Sequence, residues 1–150
     1  MRQRSTHVGL GVLLILWCAA STPAQTPAVT SQDVFVRIQE AWQNGDAGSI
    51  TRHFGERRAS IGLPEVEPVG GHFSRSQSYY ILKMHFETTQ VQEFEFEHVR
   101  DPEQDGRVAL GLARRRYRQL GDGRIIQDRV LVVLVPERGR WVISEIRALR

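Results

Sequence analysis

The stretch Glu93-Phe94-Glu95-Phe96-Glu97-His98 alternates acidic residues with two aromatic residues and a histidine. Successive side chains of a β-strand point to opposite faces, so this alternation predicts a strand with one buried face and one wet face. Phe94, Phe96 and His98 would then face the core, and the three glutamates would face water. This strand defines the inner and outer faces of the sheet that follows it.

The residues on its C-terminal side continue as strands separated by turn signals. Three short segments, at 101–106, 121–123 and 136–139, are rich in residues that favour turns, namely glycine, proline and aspartate. These three turns predict a meander of four antiparallel strands. Residues 130–135 are all apolar, which favours a strand near the centre of the sheet, where both faces are covered.

The residues on its N-terminal side carry helical signals. Ser31 can cap a helix that Asn44-Gly45 would end, and Asp46 can cap a short second helix. Ser74-Arg75-Ser76-Gln77 has the spacing of a capping box. It predicts a further helix with Tyr80 on the buried side.

The order of these elements, with helices first and a long meander last, indicates the α+β class. Each element has one strong apolar face to bury. We therefore predict that the N-terminal helices pack on the concave face of a curved, mostly antiparallel sheet. The domain would cover residues 31–150, after a linker at 25–30.

Residues 1–24 have the pattern of a secretory signal peptide. Two arginines precede an apolar stretch, and Thr22-Pro23-Ala24 supplies small residues for cleavage. The expected location is therefore periplasmic or secreted, with no stable membrane insertion after cleavage. Two alternatives stay open: an uncleaved N-terminal membrane anchor, and lipidation at Cys18, which the bulky Trp17 before it disfavours.

Charge and cysteine content exclude several classes of function. The chain of 150 residues has a net charge of +3, and removal of 1–24 takes away two arginines and lowers this to +1. Such a domain has no global positive field to attract nucleic acid. Cys18 is the only cysteine, so the mature protein has no disulfide and no thiolate nucleophile. Its histidines lack metal-ligand spacing, and we expect neither a metal nor another cofactor.

Three segments carry a resemblance to a known family: Ala41-Trp42-Gln43-Asn44-Gly45-Asp46-Ala47, Gly71-His72-Phe73-Ser74-Arg75-Ser76-Gln77 with Ile81-Leu82-Lys83, and Trp141-Val142-Ile143-Ser144-Glu145-Ile146-Arg147. Together they resemble short secreted bacterial proteins of unknown function in the nuclear-transport-factor-2-like (cystatin-like) superfamily. The resemblance implies a cone-shaped fold, often with a pocket and frequently dimeric through the sheet. None of the segments is catalytic, so the resemblance supports fold more than function.

Three residues are candidates for acid/base chemistry in such a pocket. His98 lies on the predicted buried face, where burial would lower its pKa and let the neutral imidazole act as a base. Asp128 alternates with apolar neighbours and would also point inward. Tyr80 is the third candidate. His98 and Asp128 also lie near strand ends, where polar side chains commonly reach water.

The run Arg114-Arg115-Arg116-Tyr117-Arg118 surrounds an aromatic residue with bases, a pattern typical of polyanion binding. Strand alternation favours another interpretation. It places Arg114, Arg116 and Arg118 on the face of the three glutamates of the neighbouring strand, where cross-strand ion pairs account for both rows. Arg115 and Tyr117 take the opposite face.

Three hypotheses follow, the third being a polyanion binder that uses the arginine run, and the residues leave open whether the protein is an enzyme, leaning toward no. The first is an exported, non-catalytic cone-fold domain that binds a small molecule or an envelope protein, or assembles with itself as a homodimer through the sheet. The alternative is an acid/base isomerase or dehydratase. A cone filled with side chains would favour the first, and an enclosed pocket with a perturbed acid/base group would favour the second.

Overall fold

The computed structural model describes residues 29–101 and 107–149. The predicted signal peptide, Cys18 and most of the first predicted turn lie outside these residues. The elements are α1 (Ser31–Gln43), α2 (Ala47–Thr51), β1 (Ala59–Gly62), β2 (Gly71–Phe73), α3 (Arg75–Thr88), β3 (Thr89–Arg100), β4 (Ala109–Gln119), β5 (Ile125–Glu137) and β6 (Arg140–Leu149). Among the helices described, none is long and apolar enough to cross a membrane.

The strands form one six-stranded sheet in the order β2-β1-β6-β5-β4-β3. β3 to β6 are the predicted antiparallel meander, with β5 in the interior of the sheet. β1 pairs in parallel with β6, and β2 adds an antiparallel edge. The helices pack on one face, which confirms the α+β prediction.

The helix caps explain where the helices begin. Thr30, one residue before the predicted cap Ser31, accepts from the Asp33 amide at the start of α1. Asp46 caps α2 and Ser74 caps α3, as predicted. Each side-chain oxygen satisfies an amide at the helix start that has no partner within the helix.

His98 is exposed, so the prediction that it shares the buried face of β3 is wrong. Phe96 lies opposite Ala113, but His98 lies opposite Leu112, because a bulge between Phe96 and His98 inserts one extra residue. An extra residue in one strand shifts the following side chains to the other face. The alternation therefore ends before His98.

The prediction that Tyr80 lies on the buried side of α3 is also wrong, because its side chain is 65% exposed. The buried stripe consists of Ser78, Leu82 and His85. These positions are four and three residues apart, which places them on one face of a helix. Two of the three are polar, so the apolar residues of α3 indicate its buried face only in part.

The space between helices and sheet is filled with large side chains. Trp42 of α1 is fully buried and stacks on Phe94 of β3 with ring centroids 4.6 Å apart. At the other end of α1, Phe35 packs against Phe96 and directly over Gly111 of β4. The interior of the fold is a packed core over this half of the sheet.

Candidate functional site

Asp128 points inward from β5, as predicted, and faces a buried arginine. It lies opposite Arg115 of β4 in the strand register. Arg115 donates from Nε to Asp128 Oδ1 at 2.8 Å and from Nη2 to Oδ2 at 2.6 Å. The Arg115 side chain is 0% exposed, so this paired contact is made away from water. Such a two-point geometry is the strongest way to hold a guanidinium.

Three further side chains complete an ionic cluster, which consists of Glu65, His85, Arg115, Tyr117 and Asp128. Arg115 donates from Nη1 to Glu65 Oε1 at 2.5 Å, and the Tyr117 hydroxyl donates to Glu65 Oε2 at 3.3 Å. His85 Nδ1 lies 2.8 Å from Glu65 Oε1. The guanidinium of Arg115 also sits over the Tyr117 ring, 4.4 Å from its centroid.

The members of the ionic cluster come from β4, β5, α3 and the loop between β1 and β2. Strand alternation turns Arg115 and Tyr117 inward together with Ala113. The buried stripe of α3 carries His85. Glu65 belongs to the loop between β1 and β2, which is anchored by the fully buried Leu63 and turns at the bond from the Val66 amide to the Leu63 carbonyl.

The charges of the cluster are set by burial and by neighbouring charges. Burial by itself would raise the pKa of the Glu65 carboxyl, but His85 and Arg115 outweigh burial and bring this pKa to about 2. Burial lowers the pKa of His85 more than Glu65 raises it. At neutral pH the imidazole is therefore uncharged, and the cluster holds two carboxylates against one guanidinium.

Two buried polar groups near the cluster lack a good partner. Within residues 29–101 and 107–149, neither ring nitrogen of His85 makes an aligned hydrogen bond, although Nδ1 approaches Glu65. Trp42 Nε1 is likewise without an acceptor in this part of the chain. The two rings are neighbours, with centroids 5.6 Å apart. Buried polar groups of this kind are uncommon and call for an explanation.

Glu65 lies at the base of a cleft of about 550 Å³. The cleft runs between the junction of α3 with β3 and the turn that joins β4 to β5. Its other lining residues are Glu87, Thr88, Thr89, Gln119, Leu120, Gly121, Asp122 and Arg124. Glu65 is the member of the ionic cluster that lines this cleft.

The predicted site residues are not brought together. Asp128 belongs to the ionic cluster, whereas His98 and Tyr80 are exposed on other elements. Sequence reasoning missed Glu65, for which no periodic pattern exists in its loop. One signal was available: alternation turned Arg115 and Asp128 inward, and a buried arginine needs more than one partner.

The outer face of the sheet carries a charged row, largely as predicted. Arg114 lies 2.6 Å from Glu93, 3.4 Å from Glu95 and 3.3 Å from Glu97. Arg129 of β5 also reaches Glu97, at 3.2 Å. All three glutamates thus pair with Arg114, and Glu97 pairs with Arg129 as well. The cross-strand pairing does not run as a ladder along the strands.

Beside this row lies an apolar area, which we call the outer patch: Leu110, Leu112, Leu131 and Val133. Leu110 is paired with Val133 and Leu112 with Leu131 across β4 and β5, so the four side chains form one block. All four are half-buried. The helices described lie on the opposite face of the sheet. A cavity of about 650 Å³ borders the patch between Leu112, Arg114 and Leu149.

No family model and no curated protein matches this sequence. Solved structures do match. A DUF4783 family protein from Bacteroides uniformis superposes with a TM-score of 0.62 at 13% identity, covering 75% of this chain and 93% of that one. A structure named Rd1NTF2_04 matches with a TM-score of 0.60 at 19% identity, covering 80% of this chain and 100% of that one, so the fold is that of the nuclear-transport-factor-2-like (NTF2-like) proteins. This agrees with the family resemblance of the sequence.

Two further structural neighbours are described as two different kinds of protein. A ketosteroid isomerase-like protein from Erwinia carotovora atroseptica matches with a TM-score of 0.61 at 10% identity, covering 81% of this chain and 93% of that one. A candidate calcium/calmodulin-dependent protein kinase type II association domain from Thiobacillus denitrificans matches with a TM-score of 0.58 at 10% identity, covering 83% and 100%. Identities this low establish the NTF2-like fold alone.

The described residues contain no group of three histidine, cysteine, aspartate or glutamate side chains arranged to hold a metal ion. The carboxylates of the ionic cluster are instead engaged with Arg115. The chemistry of the ionic cluster is therefore ion pairing and hydrogen bonding. Two of the surfaces accessible to a partner are the cleft at Glu65 and the outer patch.

Proposed function

We propose that this NTF2-like protein is a non-catalytic domain that assembles with a second copy of itself through the outer face of its sheet. The observation that carries this proposal is a sheet whose central strands are apolar on both faces, while helices cover only one of them. Strands with two apolar faces are typical of sheets that are covered on both sides. The outer patch is then the part that a partner covers.

The ionic cluster argues against proton transfer as the main activity. Asp128 is held by both of its oxygens on Arg115 and is not free to act as a base. Glu65 has a pKa of about 2, far below the near-neutral value of an efficient general base. The adjoining interior is filled by Trp42 and Phe94. A substrate would find no enclosed apolar pocket in this part of the fold.

The outer face has the anatomy of a protein interface. Interfaces combine an apolar centre with a polar rim, and here Leu112 and Leu131 lie at the centre, with Arg114 and Arg129 beside them. The sheet is open at its outer face over several strands. It is therefore large enough in extent to meet another sheet face to face.

A second copy is the partner that the charges favour. The rim carries both signs, with Glu93, Glu95 and Glu97 on β3 and Arg116 and Arg118 on β4. In a two-fold dimer the same surface meets itself, so acidic and basic rows can each face the opposite row of the other copy. The structural neighbour described as an association domain is consistent with assembly by this fold.

Export is part of the proposal and depends on the sequence of residues 1–24. If the signal is cleaved after Ala24, protein recovered from the cell envelope begins at Gln25. Intact-mass measurement of that protein tests this directly. A mass that includes residues 1–24 would support the membrane-anchored alternative, and an added lipid mass would support modification at Cys18.

Assembly is tested by sedimentation equilibrium of the mature domain and two variants. Leu131→Glu places a charge in the outer patch, whereas Val69→Glu places one on a loop at a side chain that is 92% exposed. We expect a dimer for the wild type and for Val69→Glu, and a folded monomer for Leu131→Glu. A monomeric wild type, or a dimer that tolerates Leu131→Glu, would show that the outer patch is not the interface.

A pocket isomerase is the second candidate, because Glu65 lines a cleft and its carboxyl lies 2.8 Å from the buried His85 ring. This alternative requires a general base that is poised near neutral pH, with a pKa of about 6 to 7. An NMR titration of the Glu65 carboxyl carbon separates the two functions. A midpoint in that range would favour the enzyme, and a strongly acidic midpoint would favour the non-catalytic domain.

A further inference from the structure

We propose that Arg115, His85 and Tyr117 form a carboxylate-binding site, that Glu65 fills this site as a built-in ligand, and that a small molecule with one carboxylate displaces Glu65 through the adjacent cleft. The proposal concerns the inner side of the sheet. It is independent of assembly through the outer patch.

The donors of the site come from two elements and converge on one carboxylate. Arg115 and Tyr117 are neighbours along the inner face of β4, and His85 comes from the buried stripe of α3. All three approach the oxygens of Glu65, which is 50 positions from Arg115 and 52 from Tyr117 in the chain. A guanidinium with additional N–H and O–H donors is the set of groups that recognises a carboxylate in proteins.

Arg115 is already oriented without Glu65. Asp128 holds its Nε and Nη2 atoms in the two-point contact, which leaves Nη1 directed at Glu65. The guanidinium also lies over the Tyr117 ring, in a cation–π contact. The position of the Arg115 guanidinium is therefore fixed by residues of β4 and β5 alone. It would persist if Glu65 left the site.

Glu65 fits this site imperfectly. Its bond from the Tyr117 hydroxyl is long, at 3.3 Å, and the His85 ring nitrogen that approaches it is not aligned for a hydrogen bond. His85 is completely buried, so the missing bond is not replaced by water at the surface. A carboxylate that is not tied to the backbone of the loop can satisfy all three donors with better geometry.

The cleft gives a ligand access to Glu65. Its volume of about 550 Å³ lies within the range of small-molecule sites, which is roughly 300–1,000 Å³. The charged side chains at its mouth are paired with each other: Glu87 lies 3.6 Å from Lys83, and Asp122 is in contact with Arg124. The mouth therefore presents no unbalanced charge that would repel an anion.

The charge of the cluster selects a monoanion. With His85 uncharged, Glu65 and Asp128 already exceed Arg115 by one negative charge. A monocarboxylate that replaces Glu65 keeps this balance, whereas a dianion such as phosphate would bury one more negative charge. A cation is disfavoured, because it would lie beside the positively charged guanidinium of Arg115 once Glu65 has left. Monocarboxylates are the class that fits.

The test removes the built-in ligand and supplies another. In Glu65→Ala the three donors face an empty site, and benzoate is titrated by calorimetry, with uncharged benzamide as the matched probe. Glu67→Ala, from the same loop, is the control for loop substitution. Glu65→Gln keeps the volume of the side chain and should block the site. Wild-type protein is titrated in parallel.

We expect Glu65→Ala to bind benzoate and not benzamide, and to bind it about tenfold or more tightly than the wild type, in which Glu65 competes for the donors. Glu65→Gln and Glu67→Ala should show no such gain. If Glu65→Ala is unfolded alone, benzoate should restore its thermal unfolding transition while chloride at equal ionic strength should not.

Three results would overturn the proposal. Glu65→Ala could be folded and bind no benzoate, which would mean that the donors do not form a site. Wild type and Glu65→Ala could bind equally, which would place binding elsewhere. Wild type could remain without saturable binding at any accessible benzoate concentration, which would mean that Glu65 is not displaced. None of these results depends on the oligomeric state.

Discussion

Arg115 shows how one buried charge organises its surroundings. Its side chain has no contact with solvent, and both carboxylates that neutralise it are almost completely buried. Transfer of such charges out of water is costly, and the cost is offset only when each charge keeps its partners. The charge balance of the ionic cluster therefore depends on Arg115, its one permanent cation.

Removal of the cation tests this dependence. Arg115→Ala leaves Glu65 and Asp128 buried without a positive partner, and we expect the free energy of unfolding to fall by about 3–5 kcal/mol. Arg114→Ala, on the neighbouring position but on the outer face, should cost much less, because its ion pairs are open to solvent. Urea denaturation of the two variants measures the difference, and equal losses would contradict the prediction.

The stability of the fold should also depend on pH through His85. Its pKa in the folded protein lies below the ordinary value of 6.5, so the unfolded chain takes up a proton first as pH falls. The free energy of unfolding should therefore decrease below about pH 6.5. His85→Gln should flatten this part of the profile.

Glu65 should add a second, more acidic dependence. Its pKa drops from 4.5 in the unfolded chain to about 2 in the fold, so its contribution is complete above 4.5 and is lost as pH falls toward 2. Urea midpoints across the acidic range measure this loss. A Glu65→Gln profile identical to that of the wild type below pH 4.5 would rule out a role of the carboxylate.

Some of the site was predictable at the residue scale. Alternation correctly turned Asp128, Arg115 and Tyr117 inward, because β4 and β5 are regular there. Glu65 was not predictable, since its position follows from how a loop of irregular backbone lies on the sheet. The prediction that His98 is buried was wrong for a related reason, because a bulge leaves no periodic pattern in the sequence.

At the scale of elements, α1 reaches the sheet closely because β4 has a glycine beneath it. A Cβ at Gly111 would lie 2.5 Å from Phe35 Cε1 and 2.7 Å from Phe96 Cε1, distances shorter than any real contact of such atoms. The absence of a side chain at this position sets how near α1 comes to β4.

Gly111→Ala should therefore force the helix or the two aromatic rings to move. Overpacking of this kind costs about 1–3 kcal/mol, and we expect a loss of unfolding free energy in this range. Gly121→Ala is the control, because nothing lies within 4 Å of a Cβ at that turn. Thermal unfolding compares the two, and similar melting temperatures would mean that α1 is not held by this contact.

The elements differ in how well the sequence predicts them. The meander was predictable because its turns carry glycine and its strands carry long runs of strand-forming residues. α3 began where its capping box indicated, yet Tyr80 is exposed, and Ser78 and Leu82 lie on the buried face in its place. The three-residue β2 exists only through its pairing with β1, a tertiary contact.

At the scale of the whole molecule, the sheet has two unlike faces. The inner one is closed by helices and by the ionic cluster, and the outer one carries the outer patch. If a second copy covers the outer patch, folding and association are linked by mass action. The melting temperature of the wild type should then rise with protein concentration.

Differential scanning calorimetry over a wide concentration range measures this shift. Leu131→Glu should melt at a temperature that does not depend on concentration, because the variant has no partner to lose. A wild type with a constant melting temperature would contradict assembly through the sheet, whereas the carboxylate site would be unaffected by that result.

β6 occupies the middle of the sheet, between β1 and β5, although it is the last of the strands in the chain. Its pairing with β1 joins residues separated by most of the domain. β1 and β2 therefore have no sheet to join until residues 140–149 are also available. Contacts so distant in sequence slow folding, so we expect this part of the sheet to form late.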